Sequence, residues 1–409
     1  MKRLLIMLFF ISVPITLFGF YGDGSGRSFI DFLMDRYSFR ARTDQIGFLY
    51  GTEQVRFAFG ITGNTSGVIL DSWTNDSSTN NKLGNYFRPS ISVAVGYKSD
   101  LISVGGAYQF KYIDSNYMIH TPAIMLTAMD NTLRFNVPVA IGVGNHLIKN
   151  TLVVSTAIEA RYYLHKFIDY LSQLRLYFYY GYARISYARN LIDRGYTQLD
   201  ENNKATYKDV SSINVDFRAY FNYKTQRGLS IEPYLRVLYG AALDTVENLN
   251  GTLNRYKGKN FNITAYGFDY TGMDFDDSGT EKLLGGYIAS LPAIPNAQGL
   301  VIAEGIYRIG IALPLGLRAS NDFVSLYVEP SLSATIFGGK ITLMGSERKG
   351  FFYTFGYVIY AELVVTPIKD LELYLELQTG GATRLGGNLY GASSTSMVLN
   401  SSCGVAWYF

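Results

Sequence analysis

The side chains that carry most enzymatic chemistry are sparse in this 409-residue chain, which has three His and one Cys. His120, His146 and His165 fall at the expected ends of strands or in turns. None stands in a pattern that sets a base beside a nucleophile or a carboxylate pair. The single thiol, Cys403, allows neither an intrachain disulfide nor a four-cysteine zinc site. Asp274-x-Asp276-x-Ser278-Gly279 copies the first half of a calcium loop, with oxygen ligands at alternate positions ahead of a Gly turn. Gly285 stands where the bidentate Glu belongs, so this acidic stretch, with Asp269, Asp277 and Glu281, reads as a solvated loop. Gly386-Gly387 is followed neither by Lys-Ser/Thr nor by a helical pattern, which removes the phosphate-cradle reading. The expectation is a protein that is not an enzyme and has no catalytic residues, no cofactor and no metal.

What the charged residues do share is parity. Arg134; Glu159 and Arg161; Asp216 and Arg218; Glu232 and Arg236; Glu362; and Glu372 and Glu376 all occupy the polar positions of runs that alternate with apolar residues. Val55, Phe57, Phe59 and Ile61 alternate with polar or small neighbours, and Leu133, Phe135, Val137, Val139, Ile141 and Val143 do so without a break. Further runs lie at 102–112, 152–164, 176–182, 213–223, 229–243, 301–313, 324–336, 351–365 and 371–377, with weaker ones at 86–97, 121–129 and 397–409. A period of two marks strands with one apolar and one polar face. Soluble strands usually run about five or six residues, whereas a tilted crossing of a bilayer takes about 9 to 11. These runs are membrane length.

The fold expected is therefore all-β: a transmembrane antiparallel β-barrel of about fourteen strands, within a range of twelve to sixteen. The ten charged residues above then face the lumen, where mixed charges pair or stay hydrated. The links alternate in length. Those at 64–85, 188–210, 244–299, 337–350 and 380–396 are long, and those at 98–101, 224–228 and 366–370 are short. Long loops on one side and tight turns on the other is the layout of outer-membrane barrels, with the tight turns periplasmic. If Tyr223 faces Leu229 across the 224–228 turn, Asp216 lies opposite Arg236.

The two ends of the chain add to this. Met1-Lys2-Arg3 precedes the apolar run Leu4 to Phe18, broken only by Ser12 and Thr16, and small Gly19 follows; residues 1–19 read as a cleaved secretory signal peptide. Residues 20–52 do not alternate: Ser28 is placed to cap a short amphipathic helix. This segment is expected to form an N-terminal plug or short helix, or else one more strand. That strand would need a partner, for which Phe261 to Phe268 is the candidate, to give a sixteen-stranded barrel, with 53–409 as the barrel proper. At the other end Val405, Trp407 and Phe409 share one face of an aromatic-ended strand suited to recognition by the barrel assembly machinery. The run Tyr177 to Tyr182 reads as part of an interfacial aromatic girdle.

Charge sets the remaining limits. A formal net charge of +3, from 36 Lys+Arg against 33 Asp+Glu, leaves no basic stripe, and nucleic acid is excluded as a partner.

With these features in view the sequence resembles the variable surface proteins, outer-membrane antigens of spirochaetes. The resemblance rests on Phe29-Ile30-Asp31-Phe32-Leu33, the Phe39 to Phe48 stretch, and His120-Thr121-Pro122 with Asn131-x-Leu133-Arg134, together with size, leader and aromatic end. It implies a surface-exposed antigen of the bacterial outer membrane whose long loops vary between paralogues, and it supplies no substrate. Two functions are expected from this reading: presentation of loops to host molecules or antibodies, or passage of small solutes, hydrophobic ones included, as in a porin. The expected partners are outer-membrane lipid, the assembly machinery, host molecules or antibodies at the loops, and a second copy of the chain in a homo-oligomer.

Overall fold

Alternating runs become strands because a pleated backbone sends successive side chains to opposite faces, and this chain is built from such runs almost throughout. The computed structural model describes residues 29–34, 38–41, 45–62, 90–114, 117–144, 152–164, 170–186, 207–224, 229–244, 246–249, 300–343, 346–385, 387–388 and 394–408. The expected signal peptide and the Phe261–Phe268 candidate strand lie outside the described residues, as do the calcium-like stretch and Phe409.

A 3-10 turn, Phe29–Asp31, precedes the strands. They are β1 (Ser38–Ala41), β2 (Gln45–Gly51), β3 (Val55–Thr62), β4 (Ser90–Tyr97), β5 (Ile102–Asp114) and β6 (Tyr117–Ala128). Next come β7 (Leu133–Gly144), β8 (Leu152–Tyr163), β9 (Leu171–Ser186), β10 (Tyr207–Phe221), β11 (Tyr223–Lys224) and β12 (Leu229–Ala242). The last six are β13 (Val246–Leu249), β14 (Leu300–Ser320), β15 (Val324–Leu343), β16 (Ser346–Ile368), β17 (Leu371–Leu385) and β18 (Ser394–Tyr408). All pairings are antiparallel, each strand lying beside its sequence neighbour, and β1 pairs with both β2 and β18. The short β11 and β13 continue β10 and β12 against β12 and β14 respectively. The described residues thus fill sixteen sheet positions, the upper end of the expected range of twelve to sixteen and two more than its central value of fourteen.

Both additional strands come from the N-terminal segment. The segment expected as plug, short helix or one more strand supplies two strands, β1 at 38–41 and β2 at 45–51, so the sheet starts at Ser38 instead of residue 53. The helix expected after Ser28 is only the 3-10 turn. A second correction concerns 337–350, expected as a long loop. There β15 and β16 run on as a paired ribbon to Leu343 and Ser346. A third concerns register: Tyr223 pairs with Ile231, and Asp216 with Leu238, two residues from the expected alignment. An even shift keeps every side chain on its expected face.

Burial is inverted relative to a water-soluble sheet. Along β14 the side chains of Ile309, Ile311, Leu313 and Leu315 are exposed, and along β16 those of Phe351, Tyr353, Phe355, Tyr357 and Ile359. Arg236, Asp216, Glu329 and Glu376 are each no more than 1 % exposed. No helix among the described residues is long and apolar enough to cross a membrane. One apolar core sits on the polar face: Phe29, Phe32 and Leu33 of the N-terminal turn pack against Leu49, Ala58, Ala94, Ala123 and Met125. Gly96 makes this seat possible, because a Cβ there would lie 2.3 Å from Leu33 Cδ2.

Candidate functional site

The register of five neighbouring strands creates the most distinctive arrangement on the polar face. Arg134 on β7 lies opposite Arg161 on β8, which lies opposite Arg175 on β9. Arg175 lies opposite Arg218 on β10, and Arg218 opposite Arg236 on β12. Five guanidiniums therefore form one row along the hydrogen-bonding direction. Like charges directly opposite one another across strands are destabilising, so the row requires compensation from its neighbours.

Two rows supply it. Toward the long-link side lie Asn136, Glu159, Tyr177 and Asp216, again opposite one another in succession. Toward the short-link side lie Tyr163, Gln173, Tyr220 and Tyr234. Arg161 Nε donates to Glu159 Oε1 at 2.5 Å. Arg218 and Arg236 both donate to Asp216 Oδ2, at 2.9 and 2.6 Å. Asp216 and Arg236, diagonal neighbours, thus meet in spite of the shifted register. The tyrosine rings take the guanidinium planes: Arg134 over Tyr163 at 4.5 Å, Arg175 over Tyr220 at 4.5 Å, and Arg218 over Tyr177 at 4.7 Å.

The third carboxylate comes from outside the sheet. Asp31 of the N-terminal turn accepts from Arg134 through Oδ1 and from Arg161 through Oδ2, the latter at 2.8 Å. Burial pushes the Asp31 carboxyl up, but Arg161 and Arg134 outweigh it and hold it below the usual carboxylate range. Asn131 Oδ1 accepts from Arg134 Nε at 2.9 Å and fixes its fork. Asn131 sits in a left-handed turn with Met129 and Asp130, which Thr132 closes by donating to the Met129 carbonyl.

Around the sheet from the arginine row, the polar face turns acidic. Glu232 accepts from Ser230 at 2.6 Å and lies 3.6 Å from Arg318 Nε. Glu329 accepts from Tyr327 at 2.5 Å and from Ser331 at 3.2 Å. Glu362 accepts from Tyr360 at 3.2 Å and pairs across strands with Glu376. Where the two sectors meet, near the short links, there is a cavity of about 300 Å³. Its walls include Gln173, Arg175, Tyr220, Arg318, Glu329 and Glu362.

The ten charged residues singled out from the sequence thus fall into two sectors. Arg134, Glu159, Arg161, Asp216, Arg218 and Arg236 join in the row and its partners. Glu232 and Glu362 line the cavity, Glu376 lies beside Glu362, and Glu372 sits at the start of β17, opposite Ala406. Val405 and Trp407 are half-buried on β18, and Trp407 pairs with Ala41 of β1. Asp31, Gln173, Arg175, Arg318, Glu329 and the tyrosines were not legible as members of a site. Arg175 lies just ahead of the alternating run 176–182, whereas β9 begins at Leu171. Among the described residues no group of three or more His, Cys, Asp or Glu is placed to hold a metal ion.

The profile of the Serpulina hyodysenteriae variable surface protein family matches residues 2–408. The chain belongs to that family. Two of the sequence stretches that carry the resemblance, Phe29 to Leu33 and Asn131 to Arg134, meet in space through the Asp31–Arg134 ion pair. No curated protein matches the chain. Among solved structures it is similar to a bacterial polysaccharide outer membrane secretin, at 7 % identity over 91 % of this chain and 97 % of the other, with a TM-score of 0.42. It is also similar to OmpT, an outer membrane protein of Vibrio cholerae, at 10 % identity over 91 % and 97 % of the two chains, TM-score 0.33. A third is the beta domain of the Bordetella autotransporter BrkA, at 8 % identity over 91 % and 96 %, TM-score 0.23.

Proposed function

We propose that this variable surface protein is a closed transmembrane barrel of the outer membrane that presents its long links, chiefly 63–89, 187–206 and 250–299, to host molecules and antibodies. The observation that carries the reading is the inverted burial: Ile311 and Leu313 are exposed while Asp216 and Arg236 are buried. An apolar outer face needs lipid, and strands need every backbone group paired within it, which a cylinder achieves. Pairing of β1 with both β2 and β18 supports closure. The leader at 1–19 directs export, β18 engages the assembly machinery, and the chain performs no catalysis. Protease treatment of intact cells tests the orientation: cleavage within 250–299 is expected, and protection of that link while periplasm-facing turns are cut would overturn it.

A second reading, passage of small solutes, is favoured by the charged face and its cavity. Purified, refolded protein in a planar bilayer should then conduct in discrete steps. A silent bilayer would leave loop presentation alone.

A further inference from the structure

We infer that the cavity near the short links is a binding site for a small zwitterion, an amino acid or short peptide with a free carboxylate and a free ammonium group. The inference rests on the barrel reading above and adds a ligand to it.

The donor corner of the cavity carries the argument. Gln173 is 7 % exposed, and its Nε2 has no acceptor. Beside it, Arg175 donates to Gln173 Oε1 at 3.2 Å and stacks on Tyr220, while its own Nε has no acceptor. Among the described residues Arg175 is the one guanidinium of the row with no carboxylate at ion-pair distance. Arg175 and Gln173 both line the cavity, and donor groups held out of water without a full set of acceptors are costly, more so when charged, so this corner suits an oxygen ligand. A carboxylate offers two, in the geometry a guanidinium and an amide accept best.

The rest of the lining excludes a simple anion. Glu329 and Glu362 stand on the β15 and β16 walls of the same cavity, and Glu232 lies against Arg318. A ligand seated on Arg175 alone would face this acidic wall, whereas an ammonium group on its other end turns the wall into a partner. Between the two lie Tyr220 and Tyr234, stacked at 4.6 Å, and Tyr327 and Tyr360, edge to face at 6.2 Å. Their rings suit the apolar body of an amino acid. The volume, about 300 Å³, admits a molecule of dipeptide size.

The test uses the full chain refolded in detergent, with folding verified by heat-modifiable migration. Calorimetric titration with Ala-Ala, N-acetyl-Ala-Ala and Ala-Ala amide should give saturable binding of the first and about tenfold weaker binding of each blocked form. Arg175→Gln should weaken Ala-Ala about tenfold and leave the amide unchanged, and Glu362→Gln should do the reverse, sparing the N-acetyl form. Gln173→Leu, which removes the amide and with it the acceptor of Arg175, should repeat the Arg175→Gln pattern more weakly. Equal affinity for all three peptides, or none by a folded barrel, overturns the inference alone. Loss of heat-modifiable migration in the wild type would overturn the barrel reading and the inference with it.

Discussion

Asp31 and Arg161 are 130 positions apart in sequence, yet Asp31 Oδ2 lies 2.8 Å from Arg161 Nη1 while its other oxygen takes Arg134. One carboxylate on a three-residue turn thereby neutralises two guanidiniums that the sheet register forces side by side. Asp31→Ala should cost about 1–3 kcal/mol, below the range for a fully buried pair because Asp31 keeps 31 % of its side-chain exposure. The measurement is faster hydrogen exchange across residues 29–34, with the sheet amides protected as before.

The same contact sets a pH response. The Asp31 carboxyl is held below its ordinary value in the folded protein, so its stabilising contribution is complete above the unfolded value. It is lost as pH falls through the folded one. Exchange at residues 29–34 should therefore stay slow at neutral and mildly acidic pH and accelerate only below the usual carboxylate range. In Asp31→Asn that step should vanish. A rise centred near neutrality would mean that another group governs docking.

How much of this could be read from residues alone depends on what each strand packs against. β7 alternates without a break in its apolar parity, and Arg134 is therefore legible as a member of its other face. β2 was hidden because Leu49, on the polar parity, is buried against the N-terminal turn instead of facing charge or water, so Ile46, Phe48, Leu49 and Tyr50 read as unpatterned. The outer parts of β15 and β16 were hidden for a different reason. Gly338, Gly339 and Gly350 interrupt the period, and Phe337 and Phe352, stacked at 4.9 Å, are apolar on the polar face. The arginine row needed the register itself, since parity places Arg134 and Arg175 on one face without showing that they lie level.

Gly96 offers a test of the seat beneath the turn. A Cβ at this position would stand 2.3 Å from Leu33 Cδ2 and 3.1 Å from the Val104 carbonyl oxygen. Gly96→Ala should therefore destabilise docking by about 1–3 kcal/mol through overpacking. Leu33→Ala in the same molecule should recover part of that loss, and the coupling in a double-mutant cycle measured by hydrogen exchange should be of opposite sign to the single effects. Additive losses would place the strain in the β4–β5 backbone instead.

Asp216 is fully buried between Arg218 and Arg236. Removing it strands two guanidiniums, and Asp216→Ala should cost about 3–5 kcal/mol in urea unfolding from lipid vesicles. Arg236→Met should cost less, because Arg218 still answers the carboxylate at 2.9 Å. Combining Asp216→Ala with Arg236→Met should be milder than Asp216→Ala alone, since the double change removes one of the stranded charges. The opposite order would show that packing of the long arginine side chains, more than charge balance, holds this part of the row.

Leu313 decides what the exposed face touches. It is 60 % exposed in the middle of the outward apolar series of β14, between Ile311 and Leu315. On a water-facing surface Leu313→Arg should change stability by no more than about 0.5 kcal/mol. Against hydrocarbon near the bilayer midplane the same change should cost about 2–4 kcal/mol, falling to about 0–1 kcal/mol near an interface. Ala319→Arg, on the same outward parity and exposed at the short-link end of β14, provides the interfacial comparison. Unfolding from vesicles should therefore separate the two variants by about 2 kcal/mol or more, and equal stabilities would mean that water, not lipid, covers this face.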